Sequence, residues 1–332
     1  MNYSTILIRA TNWVGDAVMC LPALRAIRER FPQAHLTILA KPFVADLYAG
    51  QPFVDETILY TPRTPREKLR FGWSLRARRF DCAILLQNAF EAAFVARLAG
   101  IPNRIGYNRD GRGWLLTNAV AVPRTGEIPP HQRFYYLEML RRAGVLERLP
   151  EIDAIQLGRR GHPGIAPLIG ISPGAAYGTA KRWLPERFAE AAAQIAIARN
   201  ASVAIFGTKD ERALCEQVAS LLTGINGDLK VTNYAGETTL AQFIELASRC
   251  EVFLTNDSGS MHIASALGVP TVAIFGATDP IATGPTGPLS RVIREPVDCS
   301  PCLLRECPID HRCMTAVSAP RVAEEALRLL AL

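Results

Sequence analysis

Residues 252–280 of this chain, VFLTNDSGSMHIASALGVPTVAIFGATDP, constrain its fold more than any other segment. Residues 252–255 are a short apolar run, residues 256–260 are small and polar, residues 261–267 have a helical pattern, and residues 271–275 are apolar again. This order predicts a βαβ unit of a parallel sheet. Ligands bind such sheets where strands end and helices begin, and a turn of small polar residues leaves backbone N–H groups for a phosphate. An ordinary βαβ unit with Asp and Ser as helix caps has the same pattern.

The same alternation extends over the rest of the chain and predicts an α/β fold with parallel sheets covered on both faces. The pattern breaks at residues 156–167, which are rich in Gly, Pro and Arg, as expected of a linker. We therefore predict two Rossmann-like domains facing a central cleft, residues 1–157 and 158–332. The last helix, residues 320–332, either stays with the second domain or packs back on the first. Before the linker we expect strands at 5–9, 36–40, 57–60, 82–86 and 104–107 and helices at 15–30, 65–79, 89–98 and 132–143; after it, strands at 168–172 and 202–206 and helices at 185–198, 209–222 and 239–248.

The composition, 49% hydrophobic and 20% charged over 332 residues, is ordinary for a globular protein of two domains. No apolar run approaches the ~20 residues that span a bilayer. The first residues lack a basic start and their apolar run ends at Arg9, so we predict no signal peptide and a cytoplasmic location.

The net charge of +6 is modest, but residues 63–79 concentrate positive charge. This arginine-rich segment is either a solvated helix face or a patch for an anionic partner, namely a phosphorylated glycolipid, a membrane surface or nucleic acid. Its cations are Arg63, Arg66, Lys68, Arg70, Arg76, Arg78 and Arg79.

Four of the eight cysteines, Cys20, Cys82, Cys215 and Cys250, fall in predicted helices or strands and are expected to be buried apolar groups. The other four, Cys299, Cys302, Cys307 and Cys313, have the spacing C-x₂-C-x₄-C-x₅-C with His311 nearby. That spacing resembles a small zinc knuckle. We predict that this cysteine cluster is a surface loop of free or oxidised thiols and holds no metal. The alternative is a structural zinc ion bound by the cluster.

Two further loops carry groups suited to catalysis. The first βα turn ends in Gly15-Asp16, and Asp16 either complements the helix dipole or acts as a general base. The loop after the strand at 168–172 contains Gly174, Gly178 and Lys181, and such a loop suits a phosphate. Walker A, G-x-G-x-x-G and Asp-x-Asp motifs are all missing from the sequence, which disfavours a P-loop enzyme, a dehydrogenase and a metal-dependent glycosyltransferase.

Together these motifs resemble the ADP-heptose:lipopolysaccharide heptosyltransferases of glycosyltransferase family nine, and are closer to the type II than to the type I enzymes. The resemblance covers nearly the whole chain. It rests on N-x-V-G-D at 12–16 with Pro22, S-P-G-A at 172–175 with K-R-W at 181–183, the N-D-S-G-x-x-H-I-A motif from 256, F-G-x-T-D-P at 275–280 and the late cysteine cluster.

The resemblance implies a GT-B fold and an inverting transfer that requires no metal or other cofactor. The donor is then ADP-heptose, bound by the second domain, and the acceptor is the lipopolysaccharide inner core of the heptosyl-Kdo-lipid A type, bound by the first. Asp16 matches the catalytic base, Lys181 the group that neutralises the leaving diphosphate, and Asp257 the carboxylate that binds donor sugar hydroxyls. The remaining expected donor contacts are Ser172, Gly174, Ala175, Tyr177, Ser258, Gly259 and His262, with Glu211 at the ribose and Thr238 near the adenine.

Some of these residues have simpler explanations. His262 is either a donor contact or a hydrogen-bonded core residue, and Asp279 is expected to form a turn. Because the acceptor lies at the cytoplasmic face of the inner membrane, Arg63, Arg66, Arg70 and Arg76 are predicted to contact anionic lipid or acceptor phosphates, with the enzyme peripheral to that membrane.

Three alternatives remain at this stage. One is another GT-B nucleotide-sugar transferase or an epimerase. The second is a basic nucleic-acid-binding protein with a cysteine-rich metal loop, although the small charge excess and the lack of an aromatic stacking motif argue against nucleic acid as a partner. The third is a scaffold that binds nucleotide without turnover.

Overall fold

The structure, a computed structural model, describes residues 2–158 and 166–332 and divides into two compact units, Met1–Ile152 and Asp153–Leu332. The predicted linker therefore falls partly outside the described residues, at 159–165. Each unit contains a six-stranded sheet in which every strand pair is parallel, and the predicted α/β class with two parallel sheets is confirmed.

The first unit begins with the buried strand β1, in which Ile6 pairs with both Leu36 and Cys82 of its two neighbours. Its sheet has the order β3-β2-β1-β4-β5-β6. Its elements are β1 (Thr5–Arg9), α1 (Val14–Met19), α2 (Leu21–Arg30), β2 (His35–Ala40), α3 (Pro42–Ala45), β3 (Glu56–Leu59), α4 (Pro65–Ser74), β4 (Cys82–Leu85), α5 (Phe90–Leu98), β5 (Asn103–Tyr107), β6 (Asn118–Val120) and α6 (Gln132–Arg142).

The second unit repeats this topology with the order β12-β11-β10-β7-β8-β9. Its central strands β7 and β10 pair in register, with Leu254 beside Ile171. Its elements are β7 (Leu168–Ser172), α7 (Pro185–Arg199), β8 (Ser202–Ile205), α8 (Arg212–Ile225), β9 (Val231–Asn233), α9 (Leu240–Ser248), β10 (Val252–Asn256), α10 (Gly259–Ala266), β11 (Thr271–Ile274), α11 (Pro280–Thr283), β12 (Ser290–Ile293), α12 (Arg312–Thr315) and α13 (Ala319–Leu330).

Both sheets are doubly wound, and the strand order reverses between β1 and β4 in the first unit and between β7 and β10 in the second. Ligands of such sheets bind beyond the carboxyl ends of the strands at this reversal. The loops after β1, β4, β7 and β10 are therefore the places where the fold itself predicts binding.

Several predicted elements need correction. The single helix expected at 15–30 is two helices that meet at Cys20, because Pro22 has no N–H to continue the hydrogen-bond ladder of α1. The helix expected at 65–79 ends at Ser74, and a 3-10 turn, Leu75–Arg78, follows it. The strands β6, β9 and β12 were not predicted.

The last helix, α13, belongs to the second unit. Its buried residues Val322, Ala323, Ala326 and Leu329 lie in the same core cluster as buried residues of α7, β10 and β11. Within the described residues, no helix combines the length and the apolar character that crossing a bilayer demands.

Candidate functional site

The loop that follows β7 is held in place by the end of β10. The side-chain amide of Asn256 donates to the carbonyl of Pro173 at 2.8 Å and to that of Gly174 at 3.3 Å, and its Oδ1 accepts from the backbone N–H of Trp183 at 2.9 Å. Asn256 is fully buried. The two ends of this loop, which we call the Lys181 loop (residues 173–183), are thus fixed to the strand that carries the N-D-S-G motif.

Lys181 and Asp257 form an ion pair at this strand reversal. Lys181 Nζ lies 2.5 Å from Asp257 Oδ2, and the Thr278 hydroxyl donates to the same oxygen at 2.6 Å. The Asp257 side chain is 5% exposed and that of Lys181 13% exposed. Because both hydrogen bonds recorded for this carboxylate within the described residues use Oδ2, Oδ1 remains available to accept from a ligand hydroxyl.

A chain of hydroxyl groups lies beside this pair at the start of α10. The Ser258 hydroxyl is 3.1 Å from that of Thr255 and 2.7 Å from that of Ser260, and Ser260 donates to Ser172 at 2.8 Å. Ser258 is the N-cap residue of α10 but accepts no capping hydrogen bond, and Gly259 is the first helical residue. The N–H groups of the first turn of α10 are therefore not occupied by the cap, which is the arrangement that favours an anion at a helix N-terminus.

Glu211 approaches the Lys181 loop closely. A Cβ atom on Gly174 would lie 2.1 Å from Glu211 Oε1, so only glycine fits this contact. Glu211 Oε2 accepts from the backbone N–H and the hydroxyl of Thr208, at 2.8 and 2.9 Å. Ala175 is buried next in the loop. The structure therefore brings together the predicted residues Ser172, Gly174, Ala175, Tyr177, Lys181, Glu211, Asp257, Ser258 and Gly259.

Two further predicted donor residues, His262 and Thr238, take no part in the contacts described above. His262 is 5% exposed and sits among the buried residues of α10. Thr238 is half-buried and directly precedes Thr239, the N-cap of α9. Asp279 is a cap, since its carboxylate accepts from the backbone N–H of Ile281 at 2.9 Å and begins α11.

The segment that carries the late cysteines packs on the Lys181 loop. The Ala180 N–H donates to the Arg305 carbonyl at 2.9 Å, His311 Nε2 is hydrogen-bonded to the Ala180 carbonyl at 3.0 Å, and the Tyr177 hydroxyl donates to the Leu303 carbonyl at 3.0 Å. The Lys181 ammonium also lies 4.9 Å from the centre of the Tyr177 ring. This segment therefore supports the loop that positions Lys181.

The four late cysteines line one pocket together with His311. All four are free thiols; Cys299 is exposed, Cys302 and Cys307 are half-buried, and Cys313 is buried. Across residues 2–158 and 166–332, no group of three or more His, Cys, Asp or Glu side chains is arranged to hold a metal ion. The contacts described above give this segment a structural role whether or not it binds metal.

In the first unit, Asp16 lies in the first turn of α1 and accepts a hydrogen bond from the Tyr136 hydroxyl of α6 at 3.0 Å. Burial is the main cause that raises the pKa of Tyr136 well above its usual value, and the charge of Asp16 adds to it. Tyr136 therefore remains a neutral donor, and its hydrogen bond favours the ionised form of the Asp16 carboxyl group. An oriented carboxylate that follows β1 is suited to general-base catalysis.

The arginine-rich segment forms α4 and the turn after it. Thr64 and Glu67 make a capping box that starts the helix. Two of the seven cations are paired, Lys68 with Glu91 and Arg78 with Glu56. The others predicted to bind anions, Arg63, Arg66, Arg70 and Arg76, are exposed and have no carboxylate within ion-pair distance in the part of the chain that the structure describes.

Three functional neighbours were missed by the sequence analysis. Asn256 is the last residue of β10, and Thr278 follows β11. Both lie at the carboxyl edge of the second sheet, so their position after a strand would have suggested them. Tyr136 lies on a helix 120 residues from Asp16 and belongs to no motif, so nothing in the sequence indicated it.

Comparisons with known proteins show similarity over most of the chain. The family profile described as Glycosyltransferase family 9 (heptosyltransferase) matches residues 68–312. The protein named Lipopolysaccharide heptosyltransferase 2 of Escherichia coli (strain K12) is 33% identical over 309 residues, which cover 87% of either chain. Lipooligosaccharide heptosyltransferase 2 of Haemophilus ducreyi is 30% identical and the alignment covers 98% of this chain and 99% of that one. The solved structure of E. coli ADP-heptose lps heptosyltransferase II is similar with a TM-score of 0.83, at 31% identity over 98% of each chain.

Proposed function

The chain belongs to glycosyltransferase family 9, and from this premise we propose that it transfers a heptose from ADP-heptose to the inner core of lipopolysaccharide. The fold is GT-B, as the match to the E. coli heptosyltransferase II structure over 98% of both chains indicates. Family membership favours a glycosyltransferase over the nucleic-acid-binding alternative. The observation that carries the proposal is the Lys181–Asp257 pair at the strand reversal of the second sheet.

In this proposal the second unit binds the donor. Lys181 approaches the diphosphate and stabilises the negative charge that develops as ADP leaves. Asp257 keeps Oδ1 for a hydroxyl of the donor sugar while Lys181 and Thr278 hold Oδ2. The N–H groups at the start of α10 add a second anion-binding element beside Ser258. Glu211, fixed beside Gly174, is the proposed ribose contact, and Thr238 is proposed to lie near the adenine.

The proposed catalytic base is Asp16. A displacement that inverts the anomeric carbon needs one base, which takes the proton from the attacking acceptor hydroxyl. The carboxylate is suited to this role because Tyr136 orients it and favours its ionised form. No step of this mechanism uses a metal ion, since the base and the charge stabilisation both come from side chains.

The function is tested by mass spectrometry of a truncated inner-core acceptor after incubation with the enzyme and one nucleotide-sugar. Three parallel reactions contain ADP-heptose, ADP-glucose or UDP-glucose. We expect a gain of one heptosyl residue with ADP-heptose and no comparable product with the other donors. Transfer of glucose at an equal rate, or no transfer from ADP-heptose, would contradict the proposal.

We also propose that α4 holds the enzyme at the anionic cytoplasmic face of the inner membrane. Arg66, Leu69, Arg70 and Trp73 have the i, i+3, i+4, i+7 spacing of one helix face, and the Leu69 and Trp73 side chains are 43% and 61% exposed. Arginines beside an exposed Trp favour a membrane interface with negative lipids. The Arg76 guanidinium lies 5.5 Å from the Trp73 ring and adds to the same surface.

Charge reversal tests this membrane contact. The triple variant Arg63→Glu, Arg66→Glu, Arg70→Glu is expected to bind vesicles with phosphatidylglycerol about a hundredfold more weakly, since each basic residue near such a surface contributes about 1 kcal/mol. The matched control reverses three exposed cations elsewhere, Arg124→Glu, Lys230→Glu and Arg291→Glu. Equally weak vesicle binding by both triple variants would show that the net charge of the protein, and not α4, determines binding, and would contradict the proposal.

A further inference from the structure

Three side chains meet at the carboxyl edge of the first sheet, on the side of β1 away from β4. Arg9 is the last residue of β1, Lys41 follows β2 and Tyr60 follows β3. The Arg9 guanidinium carbon lies 4.6 Å, and the Lys41 ammonium nitrogen 4.7 Å, from the centre of the Tyr60 ring. Two cations thus share one aromatic ring at the edge of the sheet where parallel α/β folds bind ligands.

Within residues 2–158 and 166–332, the buried Arg9 guanidinium has no carboxylate at ion-pair distance, although the charge of Glu91 acts on it from farther away. The Arg9 side chain is 2% exposed, and its guanidinium donates to the carbonyls of Ala10 and Leu39, at 3.1 and 3.0 Å, and to Asn12 Oδ1 at 3.3 Å. All three acceptors are neutral, and burial lowers the pKa of Arg9 to about 10. A buried cation held only by neutral groups is unusual, because charged groups inside proteins are normally paired.

The second cation of this cluster is Lys41. Among residues 2–158 and 166–332, no carboxylate oxygen lies within ion-pair distance of its ammonium group, which is only half-buried. Burial lowers the pKa of Lys41, and the positive charges of Arg9, Lys68 and Arg63 lower it further. The carboxylate that opposes them is Glu91, which is already paired with Lys68. Positive charge therefore exceeds negative charge around Tyr60.

This excess of positive charge lies in the first unit, which is proposed to bind the acceptor. Asn12, which Arg9 holds, is part of the loop that leads from β1 into α1 and Asp16. Gln87 follows β4 at the strand reversal, its backbone N–H donates to the Arg9 carbonyl at 3.3 Å, and its buried Oε1 has no hydrogen-bond donor among the described residues. The donor diphosphate has its own cation, Lys181, in the other unit.

We propose that Lys41 and Arg9 form an anion-binding subsite that takes a carboxylate or phosphate group of the acceptor glycan. Arg9 supplies a fixed buried charge, and Lys41 supplies a half-buried charge next to the buried Tyr60 ring. Gln87 Oε1 accepts from a hydroxyl of the same glycan. The inference rests on the proposed function, because it assigns the acceptor to the first unit.

Steady-state kinetics of Lys41→Met tests the subsite, because methionine keeps the length of the side chain and removes its charge. We expect the acceptor KM to rise about tenfold, the size of one lost charge-assisted contact, while kcat and the ADP-heptose KM stay within twofold of wild type. Lys41→Arg is expected to restore most of the acceptor KM. The matched control is Lys230→Met, an exposed lysine of the second unit, which should change none of these constants.

Modified acceptors identify the anion. Acceptor with its phosphates removed and acceptor with its carboxylates converted to amides are each compared with the native acceptor. One of these changes is expected to raise the wild-type KM about tenfold and to have little further effect in Lys41→Met. An unchanged acceptor KM in Lys41→Met, in an enzyme that transfers heptose normally, would overturn the subsite. Absence of transfer by the wild type would instead overturn the proposed function.

Discussion

The hydroxyl of Tyr136 donates a 3.0 Å hydrogen bond to Oδ1 of Asp16, although 120 residues of chain separate them. Tyr136 is 3% exposed and lies on α6, whereas Asp16 lies in the first turn of α1. The helix that carries Tyr136 therefore fixes the direction of the proposed catalytic carboxylate.

Replacing Tyr136 with Phe tests this positioning role. The ring and its packing are retained, but the carboxylate loses one donor that favours its ionised form. We expect kcat to fall about tenfold and the acidic limb of the kcat–pH profile to move to higher pH, with little change in melting temperature. The control is Tyr3→Phe, since Tyr3 lies at the other end of β1. A lower rate with an unmoved pH profile would contradict the role.

Breaking the Lys181–Asp257 ion pair is expected to lower both the stability of the protein and the rate of heptose transfer. Lys181→Met leaves a carboxylate that is 5% exposed without its cation, and we expect a loss of roughly 3 kcal/mol in the free energy of unfolding. The rate should fall by about 10²–10³ at saturating donor, because the leaving diphosphate loses its counter-charge.

The double variant Lys181→Met, Asp257→Asn separates these two effects. Unfolding in urea should show that it recovers part of the stability lost in Lys181→Met, because no unpaired charge remains, while its activity stays low. The single variant Asp257→Asn completes the comparison. If the double variant loses as much stability as the two single variants lose together, the side chains do not interact.

Gly178 tests the contact between the cysteine segment and the Lys181 loop. A Cβ atom at Gly178 would lie 2.1 Å from the Arg305 carbonyl oxygen, so Gly178→Ala must separate the two. We expect a higher KM for ADP-heptose and a lower melting temperature. Gly224→Ala is the control. Gly224 is exposed on α8, and a Cβ added there would meet no described atom within 4 Å outside the local helix backbone, so alanine should stabilise the helix by about 0.5–1 kcal/mol.

Thiol labelling distinguishes the two groups of cysteines. Burial raises the pKa of the four early thiols to about 12, so at pH 8 almost none of each is ionised and none is accessible. Peptide mapping after iodoacetamide treatment should find carbamidomethyl groups on Cys299, Cys302 and Cys307 in the native protein, and on Cys20, Cys82, Cys215 and Cys250 only after denaturation. Protection of the late cysteines that a chelator removes would show that they hold a metal ion.

Most of the fold was predictable because its central strands are continuous apolar runs. The strands that were missed, β6, β9 and β12, lie at sheet edges and have only three or four residues. Their burial is partial, so neither an apolar run nor strict alternation marks them. Edge strands of this kind are defined by pairing with a neighbour rather than by their own sequence.

The site was predictable only residue by residue. Lys181 and Asp257 follow neighbouring strands, so the sequence placed both at one edge of a sheet, but their pairing across 76 residues is a result of the three-dimensional structure. The same holds for the cluster at the first sheet. Arg9 ends β1, Lys41 follows β2 and Tyr60 follows β3, and the two cations meet at the Tyr60 ring. Contacts between loops depend on side-chain directions that no local pattern encodes.

The account depends most on Asp16 as the base of heptose transfer. The most direct measurement is the rate at which Asp16→Asn adds a heptosyl residue to the truncated inner-core acceptor, with both substrates saturating and folding checked by circular dichroism. We predict a native spectrum, ADP binding like that of the wild type and a rate at least about a hundredfold lower. A folded Asp16→Asn enzyme that transfers heptose at close to the wild-type rate would contradict the account.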